Sequence, residues 1–332
     1  ERAYFDAVVG PLTRSIKNLA KLVGEVSGRE KDELIGHAGA VIFPSPWEEP
    51  FGLVLVEAGA RGTPVVSLAR GFNPRIGRYL QPLEASWCLA SGFVGPNMEG
   101  LVGAFARECA ENVSDWDLLY LSGIPPNSLL FRRIVSEFGM RHRIGLGHRT
   151  KRFVASLEGG TEAFMRRRTS KFRANLRRSM RLAADEQITF EWIHALDPAQ
   201  AATVYDRILQ IEERSWKGRG GTGILDGGMN TFYRIMIPRL ARRGALRLVV
   251  ARRDDEDVAF VFGGLFGDAY RGLQLSYDHR FKKQSLGNLV QHEMIRRLAD
   301  EGVRSYDLGS ELSYKARWAE ERLETVTLWV WR

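Results

Sequence analysis

The sequence predicts an α/β protein built from two parts. In the first part, residues 1–112, short apolar strands alternate with helical patterns in the order strand, helix, strand. In the second part, residues 113–332, three strands in meander order precede a basic loop, a helix and a further strand. We place the boundary near residue 112 and divide the second part into two halves, 113–195 and 196–332.

Composition narrows the class of partner. The chain of 332 residues is 44% hydrophobic and 27% charged, which is typical of a globular protein. Its formal net charge of +8 favours an anionic partner, such as a CoA or nucleotide phosphate, a membrane surface or nucleic acid. The two cysteines form no metal-binding motif, so we expect no bound metal and a reducing, cytoplasmic location. No apolar run reaches the length of a membrane span, and the chain begins at Glu1 without a signal-peptide pattern, which leaves open a missing start or a fragment.

Apolar spacing predicts the elements of the first part. In chain order we expect a helix at 1–24, a helix at Asp32–His37, a strand at Ala40–Phe43, a helix at Phe51–Ala60 and a strand at Thr63–Ser67. Prolines and a glycine follow, so residues 74–87 form either a linker or the edge of a sheet.

The second part has longer elements. Strands are expected at Trp116–Ile124, Phe153–Leu157, Ile188–Ile193, Ala245–Ala251, Val258–Phe266, Ala269–Tyr277 and Thr325–Trp331. Helices are expected at Ser128–Phe138, Pro198–Trp216 and Met229–Arg243. The acidic run at 254–257 predicts a hairpin turn between the first two strands of the meander.

A strongly basic helix is predicted at residues 161–186, with a break near Ser170. One stripe of it is apolar, at Phe164, Phe172, Leu176 and Met180. The rest of its surface carries Arg166, Arg167, Arg168, Lys171, Arg173, Arg177, Arg178 and Arg181. Such a run is either a solvated face or a contact with an anionic substrate, an acidic lipid surface or nucleic acid. No nucleic-acid-binding motif accompanies it, so we expect no nucleic acid partner.

Residues 280–315 contain the strongest candidate site. A loop at Lys282–Asn288 opens a helix, and apolar residues recur every four positions along it, at Leu286, Val290, Met294 and Leu298. The helix is expected to end near Gly302, before a strand at Val303–Leu308. Free N–H groups at the helix start, together with Lys282 and Lys283, suit a pyrophosphate. The alternative is an ordinary helix start with two solvent-facing lysines.

Residues 43–58, FPSPWEEPFGLVLVEA, followed by GTPVV, resemble the C-terminal nucleotide-sugar domain of family 4 glycosyltransferases. The resemblance implies part of a Rossmann-like GT-B half domain. Glu49 and Glu57, spaced as Glu-x7-Glu, would then lie near the transferred sugar and the donor ribose. The family also needs an acceptor domain and an upstream Arg/Lys pair, which are not found here. The alternative is therefore a remnant in which the two acids bind no nucleotide-sugar.

The second part resembles GNAT-type N-acyltransferases, in particular the CelD/BcsL group, which is related to the Fem-type transferases. The segments that carry the resemblance are KFRANLRRSMR (171–181), EERSWKG (212–218), VAFVFGG (258–264), YDHRFKKQSLGNLVQHEMI (277–295) and YDLGSELSYKARW (306–318). The implied fold is a mixed sheet flanked by helices, with a tandem GNAT arrangement as one form of it. The glycine-rich pyrophosphate loop of the superfamily is reduced here to Gln284, Ser285, Gly287 and Asn288.

The resemblance implies an acyl-CoA-dependent transfer without a metal. Acetyl-CoA or another acyl-CoA would lie between the strands 269–277 and 303–308, and an amine or hydroxyl would attack the thioester directly. The implied cofactor-binding residues are Tyr277, Gln284, Ser285, Leu286, Gly287 and Asn288. Direct attack needs a base for the acceptor, an acid for the thiolate and an N–H donor for the oxyanion.

Asp307 is predicted as the base and Tyr314 as the acid. The alternatives are that Asp307 caps the turn at Gly309 and that Tyr314 is a core residue. The predicted acceptor-binding residues are Glu213, Trp216, Lys217 and Lys315. The first three can instead be a helix end with a packed tryptophan. The last can pair with a substrate phosphate or carboxylate, or with Asp307.

These observations predict an N- or O-acyltransferase of polysaccharide or cell-envelope biosynthesis, with a small-molecule or saccharide acceptor. The protein would be cytoplasmic, and the basic helix would contact the inner face of the membrane or a polysaccharide-synthesis complex. Two alternatives stay open. One is a sugar-nucleotide-binding protein derived from a glycosyltransferase, and the other is a non-catalytic scaffold of a polysaccharide-synthesis complex.

Overall fold

The computed structural model describes residues 29–30, 33–34, 65–66, 68–82, 91, 93–94, 98–111 and 115–332. The chain divides into two compact units: the first comprises residues 1–68 and 92–114, and the second comprises residues 69–91 and 115–332. The domain boundary near residue 112 stays a prediction.

The strands in chain order are β1 Val65–Val66, β2 Leu68–Asn73, β3 Gly77–Pro82, β4 Phe93–Val94, β5 Leu118–Ile124, β6 Arg143–Ser156, β7 Ile188–Ile193, β8 Leu246–Arg253, β9 Glu256–Phe266, β10 Ala269–Tyr277, β11 Ser305–Ser310 and β12 Glu321–Trp331. The helices are α1 Met98–Glu111, α2 Leu129–Gly139, α3 Gly160–Arg166, α4 Ser170–Asp185, α5 Pro198–Arg214, α6 Trp216–Arg219, α7 Gly227–Arg242 and α8 Leu286–Asp300. Short 3₁₀ turns lie at His279–Gln284 and Lys315–Arg317.

In the first unit, β1 and β4 pair antiparallel, and α1 lies against both strands. The rings of Phe93 and Phe105 meet edge-on at 5.5 Å. β1 falls inside the strand predicted at 63–67. Of the predicted helix Asp32–His37, the structure describes Glu33 and Leu34, which are helical. The other elements predicted for residues 1–62, and with them Glu49 and Glu57, lie outside the described residues.

The second unit is built on one ten-stranded sheet with the order β2-β3-β5-β12-β6-β11-β10-β9-β8-β7. Among the strand pairs of this sheet whose register the structure describes, β3 with β5 and β10 with β11 are parallel, and the others are antiparallel. The meander predicted from the sequence forms the adjacent strands β8, β9 and β10. A mixed sheet with helices on its faces confirms the predicted fold class.

The longest strand, β6, was predicted wrongly. The sequence predicted a strand at Phe153–Leu157, but β6 already begins at Arg143. Residues 143–152 contain glycines and cations and lack an apolar alternation, so no sequence pattern marks them as a strand. Backbone pairing holds them instead, because β12 runs alongside from Trp331 at one end to Glu321 at the other.

The segment predicted as a linker or sheet edge is an edge in its described part. β2 and β3 lie side by side at the end of the sheet, and β3 pairs in parallel with β5 through Tyr79 and Leu118. The Asp117 carboxylate accepts a hydrogen bond from the Arg78 backbone N–H at 2.7 Å. Residues 83–90 lie outside the described part of the chain.

The basic helix is divided in two, as predicted from the position of Ser170. Residues 167–169 separate α3 from α4, and the side chain of Thr169 caps α4 by accepting from the Phe172 N–H at 3.2 Å. Phe164 and Leu176 are buried as predicted, but Met180 is 42% exposed and does not belong to the apolar stripe. Ser179 and Ala183 take the buried positions on that part of the helix. Within the described ranges, no helix has both the length and the apolar composition to cross a bilayer.

Two hydrophobic cores lie on opposite faces of the sheet. On β8, Val249 and Ala251 belong to the core under α8, and Leu248 and Val250 belong to the core under α5 and α7. Strands buried on both faces read as continuous apolar runs. The predicted apolar face of α8 is confirmed, because its four members are fully buried. Each such side chain contributes about 1.5–3 kcal/mol by burial, which fixes α8 against the sheet.

The two parallel strands β10 and β11 separate partway along their length. They pair through three residues each, ending at Arg271 opposite Asp307. Beyond this point β10 continues beside β9, and β11 continues beside β6. We call the opening beyond Arg271 and Asp307 the splay. It leaves unpaired strand edges in the middle of a sheet, where a ligand can enter.

Candidate active site

The helix α8 starts directly after β10 and the 3₁₀ turn that follows it. Ser285 adopts a left-handed conformation with φ 55°, and the helix begins at Leu286. The predicted loop Lys282–Asn288 is therefore too long by three residues, and Gly287 and Asn288 lie in the first helical turn. The reason is that the Asn288 N–H already donates to the Ser285 carbonyl oxygen at 2.9 Å.

The start of α8 carries backbone donors without acceptors. The side chain of Ser285 makes no cap hydrogen bond. In the described part of the chain, no acceptor faces the N–H groups of Leu286 and Gly287. Free N–H groups at a helix N-terminus attract an anion, because the helix dipole adds a partial positive charge there.

The predicted cofactor-binding residues lie together at this helix start. Gly287 packs so closely on β10 that a Cβ would lie 3.3 Å from atoms of Leu275 and Tyr277. Leu286 can offer its backbone alone, because its side chain is buried in the core. The side-chain amide of Gln284 donates to the Glu186 carboxylate at 3.4 Å, so it is held beside the end of α4.

The buried carboxylate of Asp278 anchors this loop, and sequence reasoning missed it. Asp278 is 1% exposed and accepts from Arg214 Nε at 2.8 Å and from the Arg280 backbone N–H at 2.9 Å. Burial alone would raise the pKa of Asp278, but the hydrogen bonds from Arg280 and Arg214 outweigh it and hold the pKa below its usual range. Asp278 thereby links the end of α5 to the start of α8.

Asp307 lies at the point where the splay begins, with donors on three sides. Its carboxylate accepts from Arg152 at 2.9 Å, and Arg271 Nη1 lies 2.6 Å from its other oxygen. The Gly309 N–H also donates to Asp307 at 2.8 Å. This last bond is the turn cap foreseen as the alternative to a catalytic base. Oδ2 receives one hydrogen bond, from Arg152, so this oxygen keeps a lone pair for a further donor.

Tyr314 lies at the start of the second 3₁₀ turn and is 41% exposed, so it is not a core residue. Partial burial raises the pKa of its hydroxyl, which keeps the proton in place at neutral pH. A protonated, accessible hydroxyl has the chemistry of a general acid.

Two lysines predicted as acceptor-binding residues approach the splay from different elements. Lys315 Nζ donates to the Ser310 carbonyl oxygen at 3.1 Å, and Lys217 Nζ donates to Gln274 Oε1 at 3.2 Å. Burial, the neighbouring Arg271 and Lys217 together lower the pKa of Lys315 to about 8, against the opposing effect of the Asp307 carboxylate. Burial also lowers the pKa of Lys217. The structure therefore brings the two lysines into one electrostatic environment.

The other two predicted acceptor-binding residues lie on the surface. Glu213 is exposed and Trp216 is 57% exposed. The predicted helix Pro198–Trp216 ends at Arg214 because Ser215 adopts an extended conformation and caps α6. The alternative of a helix end with a packed tryptophan is therefore wrong for Trp216.

Several polar residues of the site were not foreseen. The neighbouring Glu212 is fully buried and accepts from Ser215 Oγ at 3.1 Å. A periodic signal existed for it, because Glu212 follows the buried Ile208 by four residues. Arg271 and Gln274 also had a signal, since they interrupt an otherwise apolar strand. Among the described residues, no cluster of three or more His, Cys, Asp or Glu side chains could hold a metal ion.

Family models match both parts of the sequence. Residues 170–316 match the model described as an acetyltransferase (GNAT) domain, and residues 12–80 match the model described as glycosyl transferases group 1. The first match contains the start of α8, the splay and both site lysines. This stretch is a GNAT-type acetyltransferase domain, and the predicted class of enzyme, an acyltransferase, is confirmed. Domains of this class generally use acyl-CoA. The comparison with curated proteins found no match.

Solved structures share the fold at low sequence identity. FemX is 11% identical, with 91% of this chain and 96% of that chain covered and a TM-score of 0.55. L-PGS from Bacillus licheniformis is 14% identical, with 94% of both chains covered and a TM-score of 0.52. A conserved protein of unknown function from Bacteroides thetaiotaomicron is 12% identical, with 77% and 79% covered and a TM-score of 0.53. The fold of this chain is thus similar to theirs.

Proposed function

We propose that this chain is an acyl-CoA-dependent N- or O-acyltransferase of polysaccharide or cell-envelope biosynthesis, of the CelD/BcsL type. The single observation that supports this most strongly is the open start of α8 beside the splay of β10 and β11. Three segments that resemble the CelD/BcsL group also support it. Residues 171–181 lie in α4, residues 212–218 join α5 to α6, and residues 306–318 run from β11 through the second 3₁₀ turn.

The acyl-CoA pyrophosphate would bind the free N–H groups of Leu286 and Gly287, with Ser285 and Asn288 beside it. Lys282 and Lys283 are exposed in the turn before the helix and have no ion pair in the described part of the chain. They would add attraction for the phosphates. The thioester would then enter the splay, because the helix start directly follows the strand that forms one of its edges.

Transfer would proceed by direct attack of the acceptor on the thioester carbonyl carbon. The new bond from the acceptor forms as the bond to sulfur breaks, and the acyl group moves to the acceptor. Tyr314 would give its proton to the departing thiolate. Asp307 would take the acceptor proton on its Oδ2, which accepts from Arg152 and keeps one lone pair. Both roles are proposals: Asp307 lies where the splay begins, and Tyr314 follows β11 at the start of the second 3₁₀ turn.

The acceptor would lie over Lys217 and Lys315, with Glu213 and Trp216 at the rim. The exposed Trp216 offers an aromatic face at the entrance, and the lysines offer charge deeper in the site. A small molecule or a saccharide can stack a ring on Trp216 and direct its polar groups towards the two lysines.

Calorimetry with acetyl-CoA tests the proposal. The folded wild-type chain should bind acetyl-CoA. Gly287→Glu should lower its affinity by about a hundredfold or more, because its Cβ would press the helix start away from Leu275 and Tyr277 and its carboxylate adds negative charge beside the diphosphate. Gly228→Glu is a matched control: Gly228 is also the second residue of a helix, and nothing lies within 4 Å of its added Cβ. No binding at millimolar acetyl-CoA by folded wild type, or equal binding by both variants, would contradict the proposal.

A second candidate function has support in the match of residues 12–80 to the glycosyltransferase model. It is binding of a sugar nucleotide through Glu49 and Glu57, which lie outside the described residues. Titration with UDP-glucose tests it: binding that is lost on Glu57→Ala supports this function, and heat without a change on substitution argues against it.

The proposed cellular partner is an anionic membrane surface or a polysaccharide-synthesis complex, on the cytoplasmic side. On α4, the cations Lys171, Arg177, Arg178 and Arg181 are exposed and have no ion pair in the described ranges. Sedimentation with vesicles containing phosphatidylserine should show binding that weakens with salt. If the chain folds but binds vesicles and no CoA ester, a scaffold role is favoured over catalysis.

A further inference from the structure

Arg271 and Lys315 border the same small space beside Gly309. A Cβ built on Gly309 would lie 3.4 Å from Arg271 Nη2 and 3.6 Å from Lys315 Nζ. Gly309 has φ 82°, a conformation that favours glycine, so residue 309 places no side chain between the two cations. It lies on β11 just beyond Asp307, at the floor of the splay.

Both cations retain unused hydrogen-bond donors. Arg271 Nη1 lies 2.6 Å from Asp307 Oδ1, but the angle does not make it a hydrogen bond, and this buried nitrogen has no other partner among the described residues. Lys315 Nζ donates to one carbonyl oxygen, that of Ser310. A guanidinium has five N–H donors and an ammonium three, so several are left for a ligand.

Positive charge exceeds negative charge around this space. The cations and carboxylates that face each other here are Arg152, Arg271, Lys217 and Lys315 against Asp307 and Glu212. Positive head groups gathered in a partly buried site repel one another. The low pKa of Lys315, about 8, reflects its burial and the nearby Arg271. A bound anion would relieve this repulsion.

We infer that Arg271 and Lys315 form an oxyanion-binding subsite in front of Gly309, which holds a carboxylate or phosphate group of the substrate. The inference rests on the proposed acyl transfer and specifies its substrate: one of the two reactants carries a negative charge close to the reacting carbonyl. Arg271 supplies planar, directed donors for two oxygens, and Lys315 supplies a second positive charge.

The charge can come from either reactant, and matched pairs of probes distinguish the sources. Succinyl-CoA and butyryl-CoA have four-carbon acyl groups, but only the first ends in a carboxylate. Glucosamine 6-phosphate and glucosamine present the same amine, but only the first has a phosphate. Affinities are measured by calorimetry on the full chain, with the two sugars titrated both with and without saturating CoA.

In the wild type, the anionic member of one pair should bind about ten- to a hundredfold more tightly than the neutral one, as expected for charge-assisted hydrogen bonds. Arg271→Gln and Lys315→Met should each reduce this preference by about tenfold. Arg304→Gln is the control: Arg304 is 69% exposed and lies 3.8 Å from the Asp268 carboxylate at the other end of β11. It should keep the preference.

The outcomes separate this inference from the proposed function. A preference in the CoA pair assigns the charge to the acyl group, and a preference in the sugar pair assigns it to the acceptor. Equal affinities within both pairs, in protein that binds acetyl-CoA, overturn the subsite. If no CoA ester binds, the proposed function fails, and the sugar pair without CoA then decides the subsite alone. If the Arg271→Gln variant does not fold, the Lys315→Met variant provides the test, because Lys315 lies in the second 3₁₀ turn, outside the sheet.

Discussion

Two helix starts in the second unit are built in opposite ways. At α5, Asp197 accepts from the N–H groups of Ala199 and Gln200, both at 2.8 Å, and Gln200 reaches back to the Asp197 N–H at 3.0 Å. Pro198, which has no N–H, occupies the first position. At α8 no side chain caps the helix, and the N–H groups of Leu286 and Gly287 have no acceptor among the described residues.

The difference shows how a helix end can serve stability or binding. The first start satisfies its own donors with a reciprocal cap, so it has nothing left for a ligand. The second leaves its donors open, and the protein stabilises it through Asp278, the core side chains of α8 and the close packing of Gly287 on β10. An open helix start held by other contacts is what an anion site requires.

The largest effect is expected on stability, from removing the Asp278 carboxylate that anchors the loop before α8. Asp278→Ala should lower the free energy of unfolding by about 3 kcal/mol, because Arg214 and Arg280 lose their shared buried carboxylate. Asp268→Ala is the control, since Asp268 is 65% exposed and its ion pair is long. Urea unfolding measures both. Equal losses in the two variants would show that Asp278 is not an anchor.

Reversing the charges next to the open start should affect binding without affecting stability. Lys282→Glu combined with Lys283→Glu should weaken acetyl-CoA binding by about tenfold at low salt and less at high salt. Both side chains are exposed, so stability should change by less than about 0.5 kcal/mol. The control is Arg141→Glu with Arg143→Glu, two exposed cations at the start of β6. Unchanged affinity in the first double variant would remove these lysines from the site.

Removing the side-chain cap of α5 should lower stability and leave acetyl-CoA binding unchanged. Asp197→Ala should lower the free energy of unfolding by about 1 kcal/mol, because two N–H groups at the start of α5 lose their acceptor. The affinity for acetyl-CoA should stay as in the wild type. Thermal unfolding and calorimetry on the same sample check this. A loss of acetyl-CoA binding in Asp197→Ala would contradict the view that the start of α5 serves stability alone.

The smallest effect expected is a dependence on pH. The groups that face Lys315 are Arg271, Asp307 and Lys217, and the pKa of Lys315 is about 8. Affinity for the anionic probe should therefore fall severalfold as pH rises through about 8, and Lys315→Met should remove this step. The unfolded chain holds the Lys315 proton more tightly, so this residue makes folding stability rise with pH between about 8 and 10.5. Binding that is constant from pH 7 to 9 would contradict this role.

Sequence reasoning succeeded where structure is local. The apolar residues of α8, the meander β8–β10 and the break before α4 follow from spacing and turn residues within short windows. The candidate site at the start of α8 was proposed on the same kind of local signal, a basic turn before a helix, and stays a prediction. The end of the predicted loop was placed too late in the chain. Gly287 suggested a loop residue, but Ser285 takes the left-handed conformation and the helix begins at Leu286.

Sequence reasoning failed where distant segments decide the outcome. The first ten residues of β6 are a strand because β12 pairs with them, and their own side chains carry no such pattern. The partners of Asp307 could not be foreseen either, because Arg152 reaches it from another strand, 155 positions away in the chain. Arg271 becomes significant only through the splay, which the register of β10 and β11 creates.

The central claim is that the open start of α8 holds the phosphates of the acyl donor. The most direct test follows the backbone amide NMR signals of labelled protein during a titration with CoA. The account predicts that the amides of Leu286 and Gly287 shift strongly and in step with binding, whereas those of Ala199 and Gln200 do not move. Binding of CoA with unchanged signals at Leu286 and Gly287 would contradict it.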